Sequence, residues 1–146
     1  MTLAVLFLHA LATVFMTGLI WFVQVVHYPL KAKVGNRNFI SYQEAHQKKT
    51  GWIVGPPMLV EISSGLWLAI ALPEPLSPAL LIFSLTLLAL IWLSTAVFSV
   101  PCHRKLTKGF HPGVHRKLVS TNWIRTTLWS GRSILALYFL LSFRGP

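Results

Sequence analysis

Long apolar runs alternate with short polar connections along the chain, and the lengths of those runs set the architecture. Leu3–Val26, Trp52–Leu72, Pro78–Val100 and Leu118–Phe143 are each close to or above the roughly 20 residues that cross a bilayer core as a helix. Together they use nearly all 146 residues. The pattern predicts an all-α, polytopic membrane four-helix bundle, a single transmembrane domain over residues 1–146 with helices at about 3–28, 52–72, 78–100 and 113–143. The first run lacks a basic leading segment and a small-x-small cleavage site, so it reads as a retained span and not as a secretory signal.

The polar residues inside the runs recur at helical spacing. Thr17, Ile20, Gln24 and His27 share a face of the first helix, with Gly18 beside them offering close approach to a neighbour. Tyr28 and Pro29 close that span at the interface, and His9 marks the interface at its other end. Pro57, Glu61, Ser64 and Leu68 share a face of the second helix, which Pro56 and Pro57 open in its first turn. Trp92, Thr95, Ser99 and His103 line one side of the third, with Pro101 kinking or ending it. On the fourth, Asn122, Arg125, Trp129 and Arg132 form a stripe, and His115, Asn122 and Trp129 are spaced by seven. Two arginines in one span are costly against lipid, so this stripe is expected to face protein, water or a bound anion.

The first connection is structured as well. Residues 36–49 suit a short amphipathic helix in the first cytoplasmic loop, with Ser41-x-x-Glu44 as a capping box and Phe39, Tyr42 and His46 on one face. Such a helix would roof one end of the bundle. Gly109-Phe110-His111-Pro112-Gly113 in the third connection reads as a turn leading into the last helix.

Composition agrees with a membrane protein: 54% of residues are hydrophobic and 11% charged. The net charge of +10 does not indicate nucleic acid, because ten of the 13 Lys and Arg, Lys31 among them, fall in the first and third connections and none in the short second one, Pro73–Ser77. That asymmetry is the positive-inside pattern, which puts those two connections in the cytoplasm and both termini outside, as in a multi-pass protein of a bacterial inner membrane. The same loops would meet anionic lipid headgroups. A lone Cys102 excludes an internal disulfide, and a homo-oligomer stays open.

Candidate chemistry centres on Glu61, the one acid inside an apolar run. A carboxylate at membrane depth must be paired, protonated or metal-bound. Alternating helix direction brings His27, Glu61, His103, Asn122 and Arg125 to the cytoplasmic half. One reading is structural: Glu61 and Arg125 form a buried ion pair that sets helix packing, with Asn122, Gln24 and Ser64 supplying further hydrogen bonds and the histidines facing headgroups. The other is catalytic. His27, Glu61 and His103, with His46 or His115 as further ligands, would hold one transition metal ion, Fe, Cu or Zn. Arg125 and Asn122 would orient a small hydrophobic substrate for an oxidoreductase or oxygenase reaction. The usual Glu-x-x-His pair of bundle metal sites is missing. Haem b between His27 and His103, and an ion path through Glu61, are further alternatives.

The four-span plan, His27-Tyr28-Pro29 and Thr121-Asn122-Trp123-Ile124-Arg125 resemble a group of small bacterial membrane proteins. They are more loosely similar to the anthrone-oxygenase-like four-helix family. That resemblance implies an oxygenase-type or polyketide-modifying role and carries over Asn122 and Arg125 alone, with no cofactor.

Overall fold

The computed structural model describes residues 1–143, nearly all of them helical and none in a strand. Four helices make the fold: α1, Thr2–Lys31; α2, Asn36–Ala71; α3, Pro78–Leu106; and α4, Pro112–Ser142. Short connections at 32–35 and 107–111 define one end of the bundle, the loop end. The 72–77 connection lies at the other, with the start of α1 and the end of α4. α1 packs against α2 and α4, and α3 against α4 and α2, so the helices pack in a closed ring.

Three helices, α1, α2 and α3, are long and apolar enough to cross a membrane. α4 is 31 residues long, and Arg116, Lys117, Arg125 and Arg132 dilute its hydropathy. Burial runs opposite to that of a water-soluble bundle. Gln24, Lys31, Gln43, Glu61, Asn122 and Arg132 are buried, while Leu3, Phe7, Leu11, Ile70, Ile82 and Leu141 are exposed around the outside. Such a surface is favourable against lipid chains and costly against water. Inside, three apolar layers stack along the axis. Leu6, Leu68, Leu81 and Phe139 pack near the termini, Met16, Met58, Ile91 and Trp129 in the middle, and Tyr28, Phe39, Leu106 and Leu118 at the loop end.

The structure departs from the sequence reading in the first half of the chain. The separate surface helix and the second span are one 36-residue helix, α2, with Pro56 and Pro57 in its interior. Each proline withholds an N–H, so the carbonyls of Trp52 and Ile53 lose their helical donors without ending the helix. Phe39 and Gln43 are fully buried at the loop end and anchor the amino-terminal half of α2 to the bundle. Ser41 is not a cap. Gly35 holds that position, and the Ser41 hydroxyl donates to the Asn38 carbonyl. Gly18 makes no close approach, since an added Cβ would meet nothing within 4 Å; Gly65 does, against Leu85 and His9. Trp92 is exposed and does not join Ser99 inside.

α1 and α3 share a local feature. Each contains one π turn, Val23–His27 in α1 and Thr95–Ser99 in α3. Each π turn ends two residues before a proline, Pro29 or Pro101. A proline ring clashes with the carbonyl four residues earlier, and widening the preceding turn relieves that clash. Both π turns border the site described next.

Candidate functional site: a cavity at the loop end

Buried polar groups form two networks at different depths. The deeper one surrounds Glu61. Its Oε2 accepts from Trp129 Nε1 at 3.1 Å, and its Oε1 accepts from Arg132 Nη2 at 3.4 Å, with both charged side chains fully buried. Arg132 Nη1 also donates to the Ser84 carbonyl at 2.6 Å and lies 3.3 Å from the Ser84 hydroxyl. Ser64, expected to assist Glu61, bonds His9 Nδ1 instead at 2.8 Å. His9 is therefore buried inside the bundle and not an interface residue.

The ion pair is thus Glu61–Arg132, and the expected Glu61–Arg125 pair does not form. Depth explains the difference. α2 and α4 both start at the loop end, and Glu61 lies 25 residues beyond Asn36, against 20 for Arg132 and 13 for Arg125 beyond Pro112. Starting the helix at residue 52 had placed Glu61 too near the loop end.

The second network lies at the loop end and contains no acid. Arg125 Nη2 donates to Tyr28 Oη at 3.3 Å and also to Asn122 Oδ1. Asn122 Nδ2 donates to Gln24 Oε1 at 2.7 Å. Gln43 Nε2 donates to the His103 carbonyl at 3.3 Å and to His103 Nδ1 at 3.1 Å. The carbonyl contact fixes which end of the Gln43 amide is nitrogen, so His103 Nδ1 is an acceptor and the ring proton sits on Nε2. That N–H faces Tyr28 Oη at 3.2 Å. The phenol oxygen therefore receives two donors, from Arg125 and His103, and keeps its own hydrogen for a third partner. His115 is buried beneath, with Nε2 2.8 Å from the Tyr28 carbonyl. His27 stacks on His46 with ring centroids 4.4 Å apart, and Thr50 holds His46 Nδ1 at 3.0 Å.

Next to this network is a cavity of about 410 Å³ between α1, α2, α3 and α4. Met16, Ile20, Val54, Met58 and Trp129 make its apolar part, and Tyr28, His46, His103, Arg104 and Arg125 its polar end. Its size is that of a small-molecule site, and so is its division into a broad apolar wall with a few convergent polar groups.

The proposed metal set is not brought together. Among the described residues, no three His, Cys, Asp or Glu side chains are grouped to hold a metal ion. Both oxygens of Glu61 are engaged by Trp129 and Arg132, both ring nitrogens of His103 by Gln43 and Tyr28, and Nε2 of His115 meets a carbonyl. His27, His46 and His103 do cluster, with His46 and His103 centroids 5.5 Å apart. The 23° stacking of His27 on His46 sets their rings face to face, whereas shared ligation needs the in-plane lone pairs to converge. As placed, these residues do not fit one shared metal ion.

No protein-family model matches the chain, nor does any curated protein or any solved structure. The chemistry therefore rests on the side chains themselves. Sequence reasoning placed Asn122, Arg125, His46 and His103 in the site region and missed Tyr28, Gln43 and Lys31. The sequence pattern assigns Tyr28 to an interface and Lys31 to the cations of the first connection. Both are buried on the face that already carries Gln24, at spacings of four and three.

Proposed function

We propose that this chain is a four-span membrane protein that takes a small lipid-soluble compound into the loop-end cavity, with that compound's polar end accepting hydrogen bonds. One observation carries the reading: an apolar cavity ends at Tyr28, Arg125 and Arg104, side chains that present donors. A compound with a carbonyl or acidic head and an apolar body matches both halves. The cationic connections support a cytoplasmic loop end in a bacterial inner membrane, with α4 as the fourth span and both termini outside.

A second reading, turnover of the bound compound, is favoured by Tyr28. Its free O–H is available to protonate an oxygen of the ligand, while Arg125 and His103 hold the phenol oxygen in place. The proton given up leaves a phenolate held by the Arg125 and His103 donors, which makes Tyr28 the candidate general acid of such a turnover.

The test is photolabelling of the protein in lipid nanodiscs with an alkyl ketone carrying a diazirine. Labels are expected to concentrate on peptides spanning 46–58 and 95–107, and Val54→Trp, which fills the cavity, should remove them. Labelling spread evenly over the lipid-facing surface and unchanged in Val54→Trp would overturn the reading.

A further inference from the structure

Lys31 is the least expected side chain in the molecule. It is fully buried at the end of α1, and its Nζ has no hydrogen-bond partner. That Nζ lies 5.7 Å from the centre of the Tyr28 ring, whose hydroxyl is bonded by Arg125. Arg125 is also buried, meets only the neutral Tyr28 and Asn122, and leaves its Nε without a partner. Two basic side chains therefore flank one tyrosine in the loop-end network.

No carboxylate among the described residues is available to balance them. Glu61 is held by Arg132, and Glu44 and Glu74 are exposed. Buried cations without a counter-charge cost several kcal/mol each in order of magnitude. Asn122 and Gln24 in the same network are bonded in series to the Val119 carbonyl, whereas Gln43 Oε1 is a further buried atom without a partner. The missing partner is a negative charge, and the cavity against Arg125 and Tyr28 is where one can enter.

We propose that the compound bound in this cavity is an amphiphile with a single anionic head, a carboxylate or a phosphate. Its oxyanion accepts from Arg125 and from the free Tyr28 hydroxyl, while Lys31 balances charge from behind the tyrosine ring. Arg104 lines the same polar end and draws the head in from the membrane surface. Fork-shaped guanidinium donors suit either oxyanion. The apolar chain lies along Met16, Ile20, Met58 and Trp129. This assignment rests on the cavity being a binding site, and it narrows the ligand to an anion.

The experiment uses the photolabelling assay with three competitors of equal chain length: dodecanoate, dodecyl phosphate and dodecanol. In the wild-type protein one of the anions should protect the cavity at about one tenth the concentration dodecanol needs, roughly 1.4 kcal/mol of preference. The stronger anion identifies the head as a carboxylate or as a lipid-type phosphate. In Arg125→Gln the preference should fall below about twofold with dodecanol protection retained, and Arg125→Lys should keep part of it. Lys31→Met should weaken the anions about threefold and leave dodecanol unchanged. Equal protection by dodecanol and both anions in the wild-type protein would overturn the anion assignment and leave the cavity reading standing. Failure of every competitor, together with an inert Val54→Trp, would bring down the cavity reading itself. The wild-type comparison decides the case even where a variant elutes as aggregate.

Discussion

The bundle contains two buried basic clusters that differ in one respect. Around Arg132, deeper in the bundle, the charge is met by Glu61, and Trp129 and Ser84 add hydrogen bonds, although Arg132 Nε, like Arg125 Nε, has no partner. At the loop end, Arg125 meets only neutral groups and Lys31 Nζ has no hydrogen-bond partner, and a cavity opens beside Arg125. Burial of a charge is tolerated in both places, but the first carries its own counter-charge and the second does not. A closed, paired network holds helices together; an open network of donors leaves a place for something from outside.

Removing Glu61 should have the largest effect and mark the first cluster as structural. Glu61→Leu leaves a buried, unpaired Arg132 and is expected to cost about 3–5 kcal/mol, read from unfolding in mixed micelles of increasing denaturing detergent. Adding Arg132→Met to it should recover most of that loss, because an apolar pair of similar volume replaces the ion pair. If the double variant stays as unstable as the single one, the pair is not the source of the instability. Trp129→Phe removes one donor from Glu61 and is expected to cost about 1–3 kcal/mol in the same assay.

At the loop end the sign should reverse. Lys31→Met removes an unpartnered buried amine and is expected to raise the melting temperature of ligand-free protein by about 2–8 °C. A fall instead would mean that Lys31 already has a partner, and the contrast between the clusters would fail. A smaller effect is expected from Ser64→Ala, about 1 kcal/mol, because His9 loses its hydroxyl partner. The smallest concerns the α2 end, where Leu72 has a positive φ of 34°. Leu72→Gly should stabilise by up to about 1 kcal/mol, seen as a small rise in melting temperature.

Much of this architecture was legible in the spacing of apolar runs. The helical character, the burial of Asn122, Arg125, Trp129 and Arg132 on one stripe of α4, and the gathering of His46, His103 and Arg125 at one end all follow from periodicity and alternating direction. The partner of Glu61 was not legible, because it depends on how far α2 extends before residue 52. Two adjacent prolines are an ordinary helix start, and nothing local distinguishes that from a helix that continues through them. Tyr28 and Lys31 were hidden for another reason. Aromatic and basic residues at the end of an apolar run look like an interface belt unless a neighbouring helix covers them, and here α3 meets Tyr28 through His103, which α2 holds with Gln43.

The two π turns also act as phase shifts. One added residue turns everything beyond it by roughly 100° relative to an uninterrupted α-helix. In α3 the inward positions jump from Ser94 to Ser99, a step of five, before Cys102 and Leu106 resume ordinary spacing. The face that α3 shows to the cavity is therefore set by the π turn and lies roughly 100° from where an uninterrupted helix would hold it. A single-residue deletion within 95–99 would rewind the helix and rotate His103 away from Tyr28, while leaving the composition of the span almost unchanged.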